Sequence, residues 1–187
     1  LANAIVYLFL PRRGKVEIHP DYVATFKEPV VLDNKGCQFH PHVTLVQVGQ
    51  KLIVKNSDPT GHNTNLSLFG QNPVVPANSQ IELNATKEGR YPMPVQCNIH
   101  PFMKGHLVSQ PHPYMAVSGV DGTFEIKNLP AGKHDIKLWH EVPGNLKDVS
   151  TKAGKADRAG IVKVTIDAGK TLDLGDIKVP ASLLRPK

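Results

Sequence analysis

The sequence lacks the features typical of membrane-spanning, helical and nucleic-acid-binding proteins. It has no run of 18 apolar residues, so we expect no membrane span. Apolar residues at helical spacing are nearly absent, which argues against a helical fold. Six Phe, four Tyr and one Trp are few aromatics, and the lysines are scattered. A basic, aromatic platform for nucleic acid is therefore excluded.

The formal net charge is +6, spread along 187 residues. Scattered cations indicate an ordinary solvated surface with a mild preference for acidic partners, which raises encounter rates more than affinity. A chain of this length can bury one good core, or two small cores packed together.

Short strands are the dominant pattern. In VTLVQVGQKLIVKNSD (43–58), apolar residues alternate on both sides of a Gly-Gln turn. Alternation returns in FEIKNLPAGKHDIKL (124–138), after the hairpin-type pair Asp121-Gly122. We expect the polar segment 144–160 to be an exposed loop, and the residues from Ile161 onward to supply two or more closing strands. The predicted fold class is all-β.

The opening segment LANAIVYLFL (1–10) is apolar, with no basic stretch before it and no cleavage site after it. It is therefore a poor signal peptide and a good buried strand. A mature chain whose leader has been removed would look the same, so export is compatible with this sequence.

Four side chains have the chemistry and spacing of metal ligands. His62 follows a strand and a Pro-Thr-Gly turn, which places its imidazole at the end of a sheet. Cys97, His100 and Met103 share one short loop flanked by prolines. Two imidazoles, one thiolate and a weak axial thioether form the ligand set of an electron-transfer copper. The two motifs together are more specific than Cys-x-x-His alone, which also occurs in zinc, haem and redox sites.

Each of these residues also has an ordinary explanation. Met103 can fill the core, and His62 can make a structural hydrogen bond in a turn. Cys97 can act as a nucleophile, although capture of a metal by its neighbours is the more economical use of a thiolate. A disulfide between Cys37 and Cys97 is the default pairing in an exported protein.

The segment from Asp33 to Val108 resembles the cupredoxins, through the strings VGQKLIVKNSDPTGHN and CNIHPFMKGH. The second string is most similar to the short ligand loop of the amicyanin type. This resemblance implies a Greek-key β-sandwich over residues 13–109 that binds one copper ion, as Cu(I) or Cu(II).

The resemblance also implies a role for each site residue. The four ligands would be equatorial His62, Cys97 and His100 and axial Met103. Asn63 would hydrogen-bond across to the Cys97 loop and fix the ligand geometry. The edge of His100 would be exposed in an apolar patch near Pro101 and Phe102, and would act as the electron port.

Cys37 departs from the cupredoxin pattern, because related single-copper proteins usually have a non-thiol residue there. Its place in the alignment puts it near the copper end. Three roles stay open: a buried free thiol beside the ligands, an extra ligand in a Cys₂His₂ site suited to zinc or an unusual copper species, and a disulfide with Cys97. For the flanking His40 and His42 we favour polar positions on a half-exposed strand over a second metal site.

The remaining residues, 1–12 plus 110–187, resemble transthyretin-like or carboxypeptidase regulatory-like β-sandwiches, through NAIVYL and VDGTFEIKNLPAGKHDIKL. The resemblance implies a second small sandwich that serves as a scaffold or interaction module, with the cupredoxin unit inserted in it or packed on it. We favour structural hydrogen bonds over a second ligand group for the histidines in this part, which are His112, His134 and His140.

The favoured function is that of a mononuclear type 1, blue-copper protein carrying single electrons between extracytoplasmic redox partners. The expected partners are redox proteins such as a c-type cytochrome or an oxidoreductase, and the expected location is the periplasm. We expect no catalysis, because four ligands leave no open position for a substrate. Two alternatives stay open, a non-redox metal-binding scaffold and a copper carrier, each with Cys37 as an extra ligand.

Overall fold

The computed structural model describes residues 1–12 and 14–184, which divide into two compact units. Unit 2 is the continuous stretch Pro20–Pro113, and unit 1 combines Leu1–His19 with the residues from Tyr114 onward. The sequence placed these divisions after residues 12 and 109. The fold family of each unit stays a prediction.

Strands dominate both units, as the sequence predicts. In chain order they are β1 (Ile5–Leu8), β2 (Val30–Lys35), β3 (Gln38–His40), β4 (Val43–Gln47), β5 (Lys51–Asn56), β6 (His62–Asn63), β7 (Val74–Val75), β8 (Ser79–Asn84), β9 (Met93–Gln96), β10 (Lys104–Gln110), β11 (Met115–Val117), β12 (Gly132–His140), β13 (Gly144–Asn145), β14 (Ser150–Thr151), β15 (Gly154–Lys155) and β16 (Ile161–Ile166).

The helical part of the described chain is small. It consists of α1 (Tyr22–Lys27), which the sequence did not predict, and the 3₁₀ turns Ser67–Phe69 and Ala181–Leu184. In the ranges 1–12 and 14–184, no helix is long and apolar enough to cross a membrane.

Unit 2 has two main sheets, ordered β3-β2-β5-β8 and β4-β10-β9, and a separate β6-β7 pair. The pairs β2–β5 and β4–β10 are parallel, and the other pairs are antiparallel. Strand β5 shows why these residues form a half-buried strand: Leu52 and Val54 are buried, whereas Lys51 and Lys55 are exposed.

Side chains from both sheets of unit 2 join one apolar cluster. Leu52 on β5 and Leu107 on β10 belong to it, as does Cys97 of the expected ligand loop. This packing of two sheets face to face is the sandwich arrangement that the alternating pattern predicts. It also includes Cys97 and Met103, the two ends of the expected ligand loop, in the core.

Unit 1 contains a five-stranded sheet, in which β1 lies between β11 and β12, and β13 and β16 both pair with β12. All four residues of β1 are buried. The expected buried strand at the start of the chain is therefore confirmed. Its burial on both faces follows from the unbroken apolar run, since a strand with one face in water would alternate.

Three expectations for unit 1 are wrong. The segment 144–160 is more than an exposed loop, because it contains β13, β14 and β15 and buries Leu146 and Val149. In the described chain after residue 160, β16 is the only strand, since Gly169 and Gly175 adopt positive φ and interrupt the extended run.

The third wrong expectation concerns 124–127, which forms no strand. Its side chains do alternate between half-buried and exposed. The preceding turn is closed by hydrogen bonds from Gly119 N to Thr123 O and from Gly122 N to Gly119 O, both 2.9 Å long. The residues after this turn leave the sheet instead of pairing back along it.

Candidate metal centre

His62 is held on the short β6–β7 hairpin, where it pairs with Val75. Asn56, the last residue of β5, fixes the approach to this hairpin, because its side-chain amide donates to Thr60 O, Val75 O and Pro76 O at 2.8–3.0 Å. The ring of His62 is fully buried. A buried imidazole held in this way has little freedom to turn.

The second group of ligand candidates lies on the loop 97–103, between the paired strands β9 and β10. The loop is closed by hydrogen bonds from Cys97 N to Met103 O (3.4 Å) and from Met103 N to His100 O (2.9 Å). The His100 N–H also points at the Cys97 sulfur, at 3.4 Å. Hydrogen bonds within the loop therefore fix its conformation.

The loop brings its Cys and His against His62. The Cys97 Sγ lies 3.9 Å from His62 Nδ1 and 3.8 Å from His100 Nδ1, and the two Nδ1 atoms are 2.9 Å apart. Bonds from a metal to His nitrogen or Cys sulfur are about 2.0–2.3 Å long, so two atoms sharing one ion are at most about 4.6 Å apart. All three distances meet that limit, and the residues present fit a single metal ion.

Asp58 orients the His62 ring, a role that the sequence did not predict. Its Oδ2 lies 2.9 Å from His62 Nε2, so the ring donates there and leaves Nδ1 facing Cys97. Burial raises the pKa of Asp58, but hydrogen bonds from the Cys37 and Gly36 amides and from His62 outweigh it, and the pKa lies below its ordinary value. The available signal was a carboxylate four residues before a ligand histidine.

Asn63 ties the hairpin to the ligand loop. Its Oδ1 accepts hydrogen bonds from Asn98 N at 2.7 Å and Ile99 N at 3.1 Å, and lies 3.4 Å from Cys97 Sγ. Its Nδ2 donates to Asn98 Oδ1 at 3.1 Å. One amide side chain thus fixes the Cys97 loop relative to the strand that bears His62.

The other residues of the loop divide between core and surface. Met103 is buried and belongs to the same apolar cluster as Cys97. Phe102 is 68% exposed, and its ring centroid lies 5.8 Å from that of the half-buried His100. Pro101 is exposed as well, so the rim beside His100 is apolar.

Cys37 and Cys97 are both free thiols, so the disulfide considered above is not formed. Cys37 occupies the turn between β2 and β3 and is half-buried. Its amide donates to the Asp58 oxygen that also contacts His62 Nε2. Cys37 therefore lies toward the Nε2 end of the His62 ring, whereas Cys97 and His100 lie at the Nδ1 end.

The remaining histidines occupy varied places. His40 ends β3 and is exposed, and His112 is buried. In unit 1, His134 Nε2 lies 2.7 Å from Pro130 O, and His140 Nδ1 accepts from Val142 N at 3.3 Å. The last two make structural hydrogen bonds near the ends of β12, as the sequence argument favoured.

No family model and no curated protein matches the chain. Solved structures similar to it include the Cu-containing nitrite reductase from Thermus scotoductus SA-01, at 23% identity and a TM-score of 0.38, over 44% of this chain and 22% of that chain. The chain thus spans only a small part of the nitrite reductase.

Two amicyanin structures are also similar. One, a proline-to-glycine mutant in its reduced Cu(I) form at pH 4, is 24% identical with a TM-score of 0.39, over 44% of this chain and 83% of that chain. The other, amicyanin from Paracoccus versutus, is 16% identical with a TM-score of 0.39, over 44% of this chain and 81% of that chain. At TM-scores below 0.5, these likenesses support no conclusion about function.

Proposed function

We propose that unit 2 binds one copper ion at His62, Cys97 and His100, with Met103 as a weak axial ligand, and carries single electrons between redox proteins. The observation behind this proposal is the convergence of two Nδ1 atoms and one Sγ within 3.9 Å of one another. When bound there, copper supplies a one-electron couple between Cu(I) and Cu(II).

The ligand set favours electron transfer over other uses of a metal. Imidazole nitrogens accept both charge states of copper, and a thiolate adds a soft, covalent bond. Asp58 and Asn63 hold His62 and the Cys97 loop through hydrogen bonds that do not involve the metal. Ligands held in this way move little between the two oxidation states, which keeps the cost of reorganisation low. We infer no catalysis, because the four ligands fill the coordination sphere.

The edge of His100 is the proposed port for electrons. His100 is the most exposed of the His62, Cys97 and His100 set, since the other two are buried. Ile99 is 53% exposed and Phe102 68% exposed on either side of it. An apolar rim of this kind suits brief contact with a redox protein such as a c-type cytochrome. We place this activity outside the cytoplasm, in the periplasm.

The test of metal chemistry is to add cupric ion to the reduced apoprotein and record a visible spectrum. We expect an intense thiolate-to-copper charge-transfer band that is absent from Cys97→Ser. A colourless protein, or one that binds zinc as tightly as copper, contradicts the proposal. Cys37→Ser is the matched control and should keep the band.

The test of the port is electron transfer from a reduced c-type cytochrome, followed by stopped-flow absorbance. Phe102→Glu should slow the reaction and leave the reduction potential nearly unchanged, because the side chain touches the rim and not the ligands. The matched control is Val31→Glu, at an apolar position on β2 that is 43% exposed. Equal slowing by both variants would point to overall charge and contradict a specific port.

A further inference from the structure

A cleft of about 420 Å³ opens beside the metal centre of unit 2. Its lining includes the thiol residue Cys37 on one side and Met103 and Lys104, where the ligand loop joins β10, on the other. His40 and His42 also line it. The cleft therefore offers one thiol and one thioether, which are soft ligands that select Cu(I), together with imidazoles, which also bind copper.

The turn that presents Cys37 is unusual for a cysteine. Gly36 and Cys37 join β2 to β3 with φ values of +62° and +54°. Such two-residue turns favour Asn, Asp or Gly, and a left-handed backbone costs other residues about 1–2 kcal/mol. The Asp58 carboxylate holds the turn by accepting both amides, at 2.6 Å from Gly36 N and 2.9 Å from Cys37 N.

The same carboxylate brings the thiol close to His62. The ligand atoms of Cys37, Asp58 and His62 all lie within 4.8 Å of one another. Asp58 supplies a negative charge near the thiol, whereas the exposed Lys104 in the cleft lining carries a positive charge that opposes cations. A thiolate is itself anionic, so a metal ion binding there meets two negative groups against one positive group.

The two cysteines differ in their exposure to solvent. Cys97 is 1% exposed, and Met103 is also 1% exposed, whereas Cys37 is half-buried on the wall of the cleft. An ion arriving from solvent through this cleft meets the sulfur of Cys37 before that of Cys97. Met103 belongs to both the cleft lining and the apolar cluster that contains Cys97, and Cys37 packs against the same cluster.

We propose that Cys37 is a loading ligand, which binds a cuprous ion in the cleft and passes it to Cys97 without remaining a ligand of the filled centre. Binding releases the Cys37 proton to water. In the transfer, the bond from copper to Cys37 sulfur breaks and the bond to Cys97 sulfur forms. Cys97 gives up its proton, Cys37 regains one from water, and copper stays Cu(I). The transfer of the ion to Cys97 rests on the proposed function, whereas the binding of Cu(I) at Cys37 is independent of it.

The first experiment measures Cu(I) binding at Cys37 in a variant that lacks the Cys97 thiol. Cu(I) is titrated under anaerobic conditions, against a colorimetric cuprous chelator, into Cys97→Ser and into the double variant Cys37→Ser/Cys97→Ser. We expect the single variant to bind one Cu(I) at least about tenfold more tightly than the double variant, since a thiolate is the strongest ligand left. Equal affinities overturn the proposal. This measurement stays valid even if the intact centre gives no blue-copper spectrum.

The second experiment measures loading with Cys97 intact. Reduced apoprotein is mixed with Cu(I), and filling of the centre is followed by quenching samples with the chelator. Cys37→Asn is the main variant, because Asn tolerates the left-handed turn and lacks the thiol, and Cys37→Ser is its companion. We expect both to fill about tenfold more slowly than the natural sequence and to give the same spectrum and potential after oxidation.

Three results of the loading experiment overturn the proposal. Unchanged filling rates in both variants would show that the thiol takes no part in loading. A changed spectrum or potential in the filled protein would instead make Cys37 a permanent ligand. Slower filling by Cys37→Ser alone would assign the effect to the shape of the turn, which also overturns the proposal.

Discussion

The Nδ1 atoms of His62 and His100 lie 2.9 Å apart, facing each other across the candidate centre. Nε2 of His62 donates to Asp58, so its Nδ1 keeps a lone pair. Either a proton on His100 or a cation has to occupy the space between the two nitrogens. Asp58, through one hydrogen bond, therefore decides which atom of His62 faces the candidate centre.

Replacing Asp58 tests this orienting role. We expect Asp58→Asn to weaken copper binding about 10- to 100-fold, which is the usual effect of removing the outer partner of a ligating histidine. The measurement is competition between the apoprotein and a copper chelator of known affinity. Asp33→Asn is the control, because Asp33 bonds to Ser57 and not to His62. Similar losses in both variants would mean that Asp58 acts only through charge or stability.

Removing the Asn63 side chain should destabilise the ligand loop. In Asn63→Ala, Asn98 N and Ile99 N lose their acceptor, so we expect the free energy of unfolding to fall by about 1–3 kcal/mol. Chemical denaturation of the apoprotein, followed by circular dichroism, measures this fall. Asn65→Ala is the control, since the side-chain bond from Asn65 to Asn98 is 3.5 Å long and exposed. An unchanged stability in Asn63→Ala would refute the bridging role.

Met103 should tune the centre and not hold it together. We expect Met103→Leu to keep copper bound and to raise the reduction potential, because a weak axial ligand is lost while the buried volume stays similar. Spectroelectrochemistry gives the potential and the copper content together. Met93→Leu, on β9 and half-buried, is the matched control and should leave the potential unchanged. Loss of copper from Met103→Leu would show that Met103 is not a weak ligand.

Gly105 should resist any added side chain. A Cβ at this position would lie 2.9 Å from the backbone oxygen of His42 and 3.3 Å from the Cβ of the buried Phe39 side chain. We expect Gly105→Ala to lower the free energy of unfolding by about 1–3 kcal/mol through overpacking. Gly61→Ala is the control, because nothing lies within 4 Å of its added Cβ. Equal stabilities in a denaturant titration would contradict this close approach.

Tyr114 should make the stability of unit 1 sensitive to alkaline pH. Burial raises the pKa of Tyr114 above its ordinary value, and the hydroxyl donates to Glu17 O at 2.7 Å. A raised pKa means that the neutral form is favoured in the folded state. The neutral hydroxyl therefore contributes its full stabilisation below about pH 10, which is the pKa of tyrosine in the unfolded chain. This contribution is lost as the pH rises through the higher pKa of the folded state.

The check on Tyr114 is the free energy of unfolding of the natural chain and of Tyr114→Phe at several pH values. Tyr114→Phe leaves Glu17 O and His19 N without their partner, so it should be less stable by about 1–2 kcal/mol at neutral pH. That difference should shrink above about pH 10. A constant difference at every pH would contradict the assigned cause.

The sequence predicts the strands of unit 2 and the members of the centre because both depend on local patterns. Alternation in β5 directly reports which face is buried, and the ligand loop keeps three of the four predicted ligands, Cys97, His100 and Met103, together in the chain. Asp58 was missed because its role depends on how a turn folds back onto the His62 ring, which spacing alone does not show. Its placement needs the contacts of Gly36 and Cys37 as well.

The later part of unit 1 was harder to predict for a related reason. Residues 124–127 have the alternating pattern of a strand, yet a strand also needs a partner with free backbone groups. The side chains of 124–127 alternate in burial, as the pattern predicts, but their backbone forms no strand. The expected pairing is therefore wrong. In 144–160 the opposite holds, since a polar, glycine-containing sequence forms short strands that find partners: β13 pairs with β12, and β14 and β15 pair with each other.

The pairing of β1 constrains the order in which the chain can fold. Ile5 pairs with Val117 and Trp139, so β1 must wait for β11 and β12, which follow unit 2 in the chain. Unit 2 is one uninterrupted stretch that is made in between. Domains generally fold as units during synthesis, and contacts of long sequence separation form slowly. We therefore expect unit 2 to fold while the apolar strand β1 is still exposed and in need of protection from aggregation.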